Sequence, residues 1–238
     1  MRLSGWAVFD LDGTLVDTLG EIHVALNRVL ERHKRYRLES DVVRELVGNG
    51  PKTLMERAWS MTGSDASGSD ATLLAEEYSR EYDKNPIGMT RPFPGVHEGV
   101  RRLIQLGWNL GVCTNKHGNA ARALIRELGW ERWIRVVVSG EESFRKPDPR
   151  PLRFAFQKMG ACFGRHLFIG DSEIDLKTAQ NAGVEGIFLE HGYGVKGRFQ
   201  ARSFSNAVDL FSWMAQSGPI QRQDSPGTLG FLESRKEK

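Results

Sequence analysis

Short unbroken apolar runs alternate along this chain with stretches whose apolar residues recur every three or four positions. The first run, Trp6-Ala7-Val8-Phe9-Asp10-Leu11, shows no polar alternation and stops at the turn pair Asp12-Gly13. Such a run predicts a strand covered on both faces, as in a parallel sheet. From about Thr18 to Pro86 the period changes. Ile22, Leu26, Val29 and Leu30 fall at helical spacing, as do Val42, Val43, Leu46 and Val47. Leu54, Ala58 and Met61 continue it, and Leu73, Leu74, Glu77 and Tyr78 begin another helical stretch. With a loop at Gly63–Ser69, this block predicts a helical insert of about four helices with no strand.

The turn-rich segment Arg91-Pro92-Phe93-Pro94-Gly95 marks the return to alternation. Val96, Val100, Leu103 and Ile104 predict a helix, and Leu110–Thr114 a strand. A helix around Ala120–Leu128, a strand at Val136–Val138 and a helix around Leu152–Met159 follow. A strand at His166–Ile169, a helix around Leu176–Asn181, a strand at Gly186–Leu189 and a last helix at Val208–Met214 complete the pattern. Strand–helix alternation of this kind predicts an α/β fold with a parallel sheet. Residues 1–17 and 88–216 form its core, 18–87 the insert, and 217–238 a polar, turn-rich tail expected to be loose.

Composition narrows the class. Hydrophobic residues at 39% and charged residues at 26% are ordinary for a soluble globular chain. The 33 basic residues exceed the 30 acidic ones only slightly, and no basic run interleaves with aromatics, which argues against nucleic-acid binding. Cys113 and Cys162 have no paired or zinc-like spacing. No signal-like start and no membrane-length apolar run is visible, so the expected location is the cytoplasm and no membrane partner is expected.

The chemistry gathers at strand ends, where parallel α/β sheets place their sites. Strand one ends in Asp10-Leu11-Asp12, strand two in Thr114-Asn115, and the loop after strand three holds Lys146-Pro147-Asp148. Strand four ends in Gly170-Asp171, with Asp175 about one helical turn on. Any one of these is ordinary turn or cap chemistry. The four carboxylates Asp10, Asp12, Asp171 and Asp175, converging on one rim, would repel unless a hard cation holds them. On spacing, Asp10 and Asp12 are expected on one side of the same strand pleat.

Phe9-Asp10-Leu11-Asp12-Gly13-Thr14-Leu15-Val16-Asp17-Thr18 resembles the signature of the haloacid dehalogenase-like hydrolases. Thr114-Asn115-Lys116, Lys146-Pro147 and Gly170-Asp171-Ser172-Glu173-Ile174-Asp175 resemble that family's later motifs, in order. The resemblance spans roughly Gly5 to Ala215 and implies a Rossmann-like core with the insert as a helical cap domain. It implies that Asp10 is a nucleophile forming an aspartyl-phosphate, and that Asp12 is the general acid and base. It further implies that Mg²⁺ is held by the Asp10 side chain, the Asp12 backbone carbonyl and Asp171, with Asp175 in support or acting through water. Thr114, aided by the Asn115 backbone, would bind the phosphoryl group, and Lys146 would neutralise its charge.

Within the insert, Leu46-Val47-Gly48-Asn49-Gly50 resembles the phosphoglycolate phosphatases, and its glycines would let backbone N–H groups approach a small anion. A plain helix-to-helix turn is the competing reading. The expected substrate is a small phosphorylated metabolite, foremost 2-phosphoglycolate, with the chain a monomer or homodimer. A sugar-phosphate phosphatase, a phosphomutase and a silent binding module remain alternatives. His117 is expected in an exposed loop. Cys113 is expected as a buried strand residue, and His191–Gly194 could border the site.

Overall fold

The computed structural model describes residues 5–63, 68–140, 144–162 and 164–219. The chain begins with β1 (Gly5–Phe9) and β2 (Val16–Asp17), then runs through α1 (Leu19–Arg32), α2 (Ser40–Leu46), α3 (Gly50–Met61) and α4 (Gly68–Tyr82). It returns through β3 (Arg91–Pro92), α5 (Val96–Gln105), β4 (Trp108–Cys113), α6 (Gly118–Glu127) and β5 (Ile134–Val138). α7 (Arg150–Lys158), β6 (His166–Gly170), α8 (Glu173–Ala182), β7 (Glu185–Leu189), β8 (Arg202–Phe204) and α9 (Ala207–Ser217) complete it. The expected tail beyond Pro219 lies outside the described residues, as does most of the expected loop between α3 and α4.

The main sheet has the order β5-β4-β1-β6-β7-β8, and every pairing is parallel. Side chains alternate across it, as the two-residue strand period requires. Ala7, Phe9, Leu110, Val112, Leu167 and Ile169 join one cluster with the apolar faces of α5, α6 and α9. Trp6, Val8, Cys113 and Phe168 join another with residues of α7 and α8. Both faces are thereby covered, which is why β1 reads as an unbroken apolar run. The Cys113 expectation holds: the residue is fully buried, and burial pushes its thiol up to about 12.

Helices α1 to α4 have a core of their own. Ile22, Leu26, Val29 and Leu30 of α1 pack with Val43, Leu46, Leu54, Met55 and Ala58, and with Leu74, Tyr78 and Tyr82 of α4. The two connections to the sheet are clasped together. β2 and β3 pair antiparallel through Val16–Pro92 and Asp17–Arg91. Glu21, buried in α1, accepts hydrogen bonds from the backbone N–H groups of Met89 and Thr90, and from Thr90 Oγ1 at 2.8 Å. The β2–β3 pair and β8 are the strands that the hydrophobic pattern did not predict. Two or three residues carry too little periodicity to register. Among the described residues no helix is long and apolar enough to cross a membrane.

Candidate active site

Strand order places the site. β1 lies between β4 and β6, so the chain leaves its C-terminal end towards one side and later returns on the other, making the crevice where α/β proteins bind ligands. β1 ends at Phe9, two residues before the predicted end, and Asp10 is the first residue beyond it. Its N–H donates to Ile169 O at 2.8 Å, which holds Asp10 beside the end of β6. The next residues curl tightly, with the N–H groups of Thr14, Leu15 and Val16 all aimed at Leu11 O. Gly13 turns this corner at φ +80°, and a Cβ there would collide with the Asp171 carboxylate. Glycine is required at that position on both counts.

One oxygen each from Asp10, Asp171 and Asp175 can be chosen so that all lie within 4.8 Å of one another, and all three residues are buried. Asp171 accepts from Thr14 Oγ1 at 2.8 Å and from the N–H groups of Tyr193 and Gly194 at 2.8 and 3.2 Å. Asp175 closes a capping box with Ser172 at the start of α8, its Oδ2 accepting from Ser172 N and Oγ. Its other oxygen takes the Lys146 ammonium at 2.6 Å, and the same ammonium stands 2.8 Å from Asp10 Oδ1. That Asp10 oxygen has no hydrogen-bond donor otherwise.

Charge is under-compensated at this point. Burial, offset in part by Lys146 and reinforced by Asp175 and Asp171, pushes the Asp10 carboxyl up to about 7. Burial, then the Asp175 charge, pushes Asp171 up to about 6 against the pull of the Tyr193 N–H and the Thr14 hydroxyl. For Lys146, burial works against the charged form, but Asp10 and Asp175 outweigh it and hold the ammonium above the usual lysine range. One cation facing three carboxylates, with an oxygen of Asp10 poorly satisfied, is the donor set that a hard divalent ion fits. Asp10, Asp171 and Asp175 could hold it.

The side chain of Asp12 is not part of that group. Its oxygens receive Lys116 Nζ at 3.0 and 3.2 Å and Thr18 Oγ1 at 2.7 Å. Both residues lie just past the strand and line one cavity, with their carboxylates facing different lysines. Thr114 is buried at the end of β4, with its N–H on Val138 O and its Oγ1 accepting from Lys116 N at 3.2 Å. Asn115, whose backbone is expected to assist at the phosphoryl group, also makes contacts through its side chain. Nδ2 donates to Gly48 O and Lys146 O at 3.0 and 3.1 Å, while Oδ1 accepts from Lys146 N. The amide thus ties the loop before α3 to the Lys146 segment.

Gly48 and Gly50 have φ values of +115° and +81°, and both line a cavity between the sheet rim and the helical block. Gly48 meets Asn115 through its carbonyl rather than its N–H. Gly50 opens α3 after the N-cap residue Asn49, whose side chain makes no capping bond, and Asn49 is not among the lining residues. The cavity, about 50 Å³, is also walled by Leu54, Tyr78, Tyr82, Thr114 and Lys116. His117, expected in an exposed loop, is half-buried at the start of α6 and lines the cavity too.

Sequence reasoning gave no separate role to Lys116 or Thr14, and named Tyr193 only within the His191–Gly194 stretch that could border the site. Lys116 stands in the quoted motif after Thr114 and Asn115. Thr14 gave no sign that it would bind Asp171. Tyr193 is the junction between the two halves. Besides its N–H on Asp171, its hydroxyl donates to Asp17 Oδ1 at 2.7 Å and accepts from the N–H groups of Thr18 and Leu19. Its neighbour His191 stacks on Phe93 at 4.0 Å and pairs with Thr14 O at 3.1 Å. The one available signal was Gly192-Tyr193-Gly194 following a strand. A Cβ at Gly192 would clash with Asp171, and one at Gly194 would crowd Ser172.

Residues 7–189 match the haloacid dehalogenase-like hydrolase family. A phosphoglycolate phosphatase of Agrobacterium fabrum is 35% identical over 192 residues, covering 80% of this chain and 82% of the relative. One from Rhodospirillum rubrum is 36% identical over 191 residues, covering 78% and 79%. Among solved structures, CbbY from Rhodobacter sphaeroides in complex with phosphate superposes with a TM-score of 0.74 at 22% identity, over 86% of this chain and 95% of its own. That last likeness is one of fold.

Proposed function

This chain belongs to the haloacid dehalogenase-like hydrolases, and we propose that it is a Mg²⁺-dependent phosphatase of a small phosphomonoester, 2-phosphoglycolate. The observation that carries this reading is the meeting of Asp10, Asp171 and Asp175 with Lys146 at the strand ends, beside a cavity of about 50 Å³. The named activity of the relatives from Agrobacterium and Rhodospirillum supports the same choice.

In this mechanism Asp10 attacks phosphorus in line and becomes an aspartyl-phosphate, which water then hydrolyses. Asp12 gives a proton to the departing glycolate oxygen and takes one from the attacking water. Thr114 Oγ1 hydrogen-bonds the phosphoryl group in flight. Lys146, fixed between Asp10 and Asp175, supplies positive charge without having to move, which is how positioned charge lowers such barriers. Mg²⁺, when bound by Asp10, Asp171 and the Asp12 carbonyl with Asp175 in support, would add neutralisation of the developing phosphoryl charge.

A phosphate-release screen over small phosphorylated metabolites, with Mg²⁺ and with chelator, tests the proposal. The expected profile peaks at 2-phosphoglycolate and collapses without the metal. Equal turnover of hexose phosphates, or turnover indifferent to chelator, refutes it.

A further inference from the structure

We propose that the Lys116 ammonium recognises the carboxylate of the substrate, and so selects an acidic phosphomonoester over a neutral one. This rests on the 2-phosphoglycolate reading above and deepens it. Among the described residues, the Asp, Glu, Lys and Arg side chains lining the cavity are Asp10, Asp12, Asp83 and Lys116. A ligand bearing a phosphoryl dianion and a carboxylate would meet three carboxylates there, and like charges within a few ångströms repel. Lys146 cannot serve both ends of the ligand, because its ammonium is already shared between Asp10 and Asp175. Among the described residues lining the cavity, Lys116 remains as the lysine or arginine on its wall.

Its construction suits that task. Lys116 is 9% exposed, and its backbone is fixed on both sides, N–H to Thr114 Oγ1 at 3.2 Å and carbonyl to Gly140 N at 3.0 Å. The lysine therefore starts two residues from the threonine that faces the phosphoryl group. Its Nζ lies 4.1 Å from the centre of the Tyr82 ring. Two contacts go to the oxygens of Asp12, and an ammonium has three N–H groups, which leaves donor capacity for a ligand. Tyr78 and Tyr82 exclude water around it, and a charge-assisted bond is strongest where water is scarce. The carboxylate of 2-phosphoglycolate sits one carbon from the ester oxygen, so a cation beside Asp12, the group facing that oxygen, is placed to meet it.

The test compares kcat/KM for 2-phosphoglycolate and ethyl phosphate, which lacks the carboxylate, in the wild type and in Lys116→Met at saturating Mg²⁺. The wild type is expected to prefer 2-phosphoglycolate, and the variant to lose at least about tenfold of that preference, mainly through KM. Lys116→Gln repeats the comparison if the Met variant does not fold. Both substrates slowed in parallel, with the ratio kept, would mean that Lys116 serves only to hold Asp12, and would overturn the proposal alone. A wild type without the preference would overturn the substrate reading and this assignment with it.

Discussion

Replacing Lys146 with methionine probes the balance of charge at the heart of the site. The ammonium is 2% exposed and is wedged between the side chains of Asp10 and Asp175, 8% and 1% exposed, at 2.8 and 2.6 Å. Removing one partner of a buried pair costs about 3–5 kcal/mol, and here two carboxylates lose theirs, so the upper end of about 5 kcal/mol applies. That is a large part of the roughly 5–15 kcal/mol that keeps a domain folded. The loss should depend on pH. In the wild type, Asp10 is held up at about 7 against its ordinary 3.8, so the folded protein keeps a proton that the unfolded chain has released. Stability from that group is complete below pH 3.8 and is lost as pH rises through about 7. Without Lys146 its carboxyl rises further, so the variant's deficit should be larger at about pH 8 than at about pH 5.5. Mg²⁺ should then stabilise the variant by more than it stabilises the wild type, since the added ion meets a more negative site. Urea unfolding at both pH values, with chelator and with Mg²⁺, measures each of these differences. An equal deficit at the two pH values, or no extra gain from Mg²⁺, would refute the charge-balance reasoning.

Other substitutions follow from the same contacts. Asp10→Asn should abolish turnover yet raise the metal-free melting temperature above neutral pH, because it removes a buried charge that is poorly satisfied; a lowered melting temperature would count against this. Asp171→Asn should raise the Mg²⁺ concentration needed for half-maximal activity by about tenfold or more, and an unchanged requirement would remove Asp171 from the ligand set. Tyr193→Phe strips a hydroxyl that serves Asp17 and the first N–H groups of α1, so a loss of about 1–3 kcal/mol is expected in chemical unfolding; a loss near zero would show that the junction is not held there.

Much of this site was legible because its residues sit at ends of strongly patterned elements. Val8 and Phe9 are apolar on both faces of the sheet, so β1 announced itself, and Asp10 followed at once. Asp171 was legible in the same way after Ile169. What stayed hidden depends on pairings between distant residues. Tyr193 meets Thr18 across 175 positions, and Lys116 meets Asp12 across 104. Neither contact leaves a local trace in composition or period. Asn115 could be singled out at a strand end, but the contacts of its side chain could not, since only the fold brings Gly48 O and Lys146 O within reach of one amide. β8 escaped because its three residues sit at the sheet edge with an exposed arginine at one end.

Rapid acid quench during the first turnover of ³²P-labelled 2-phosphoglycolate, followed by peptide mapping, addresses the nucleophile directly. A covalent label that hydroxylamine removes and that maps to Asp10, absent in Asp10→Asn, is the predicted result. Label on Asp12, Asp171 or any other side chain would contradict the account.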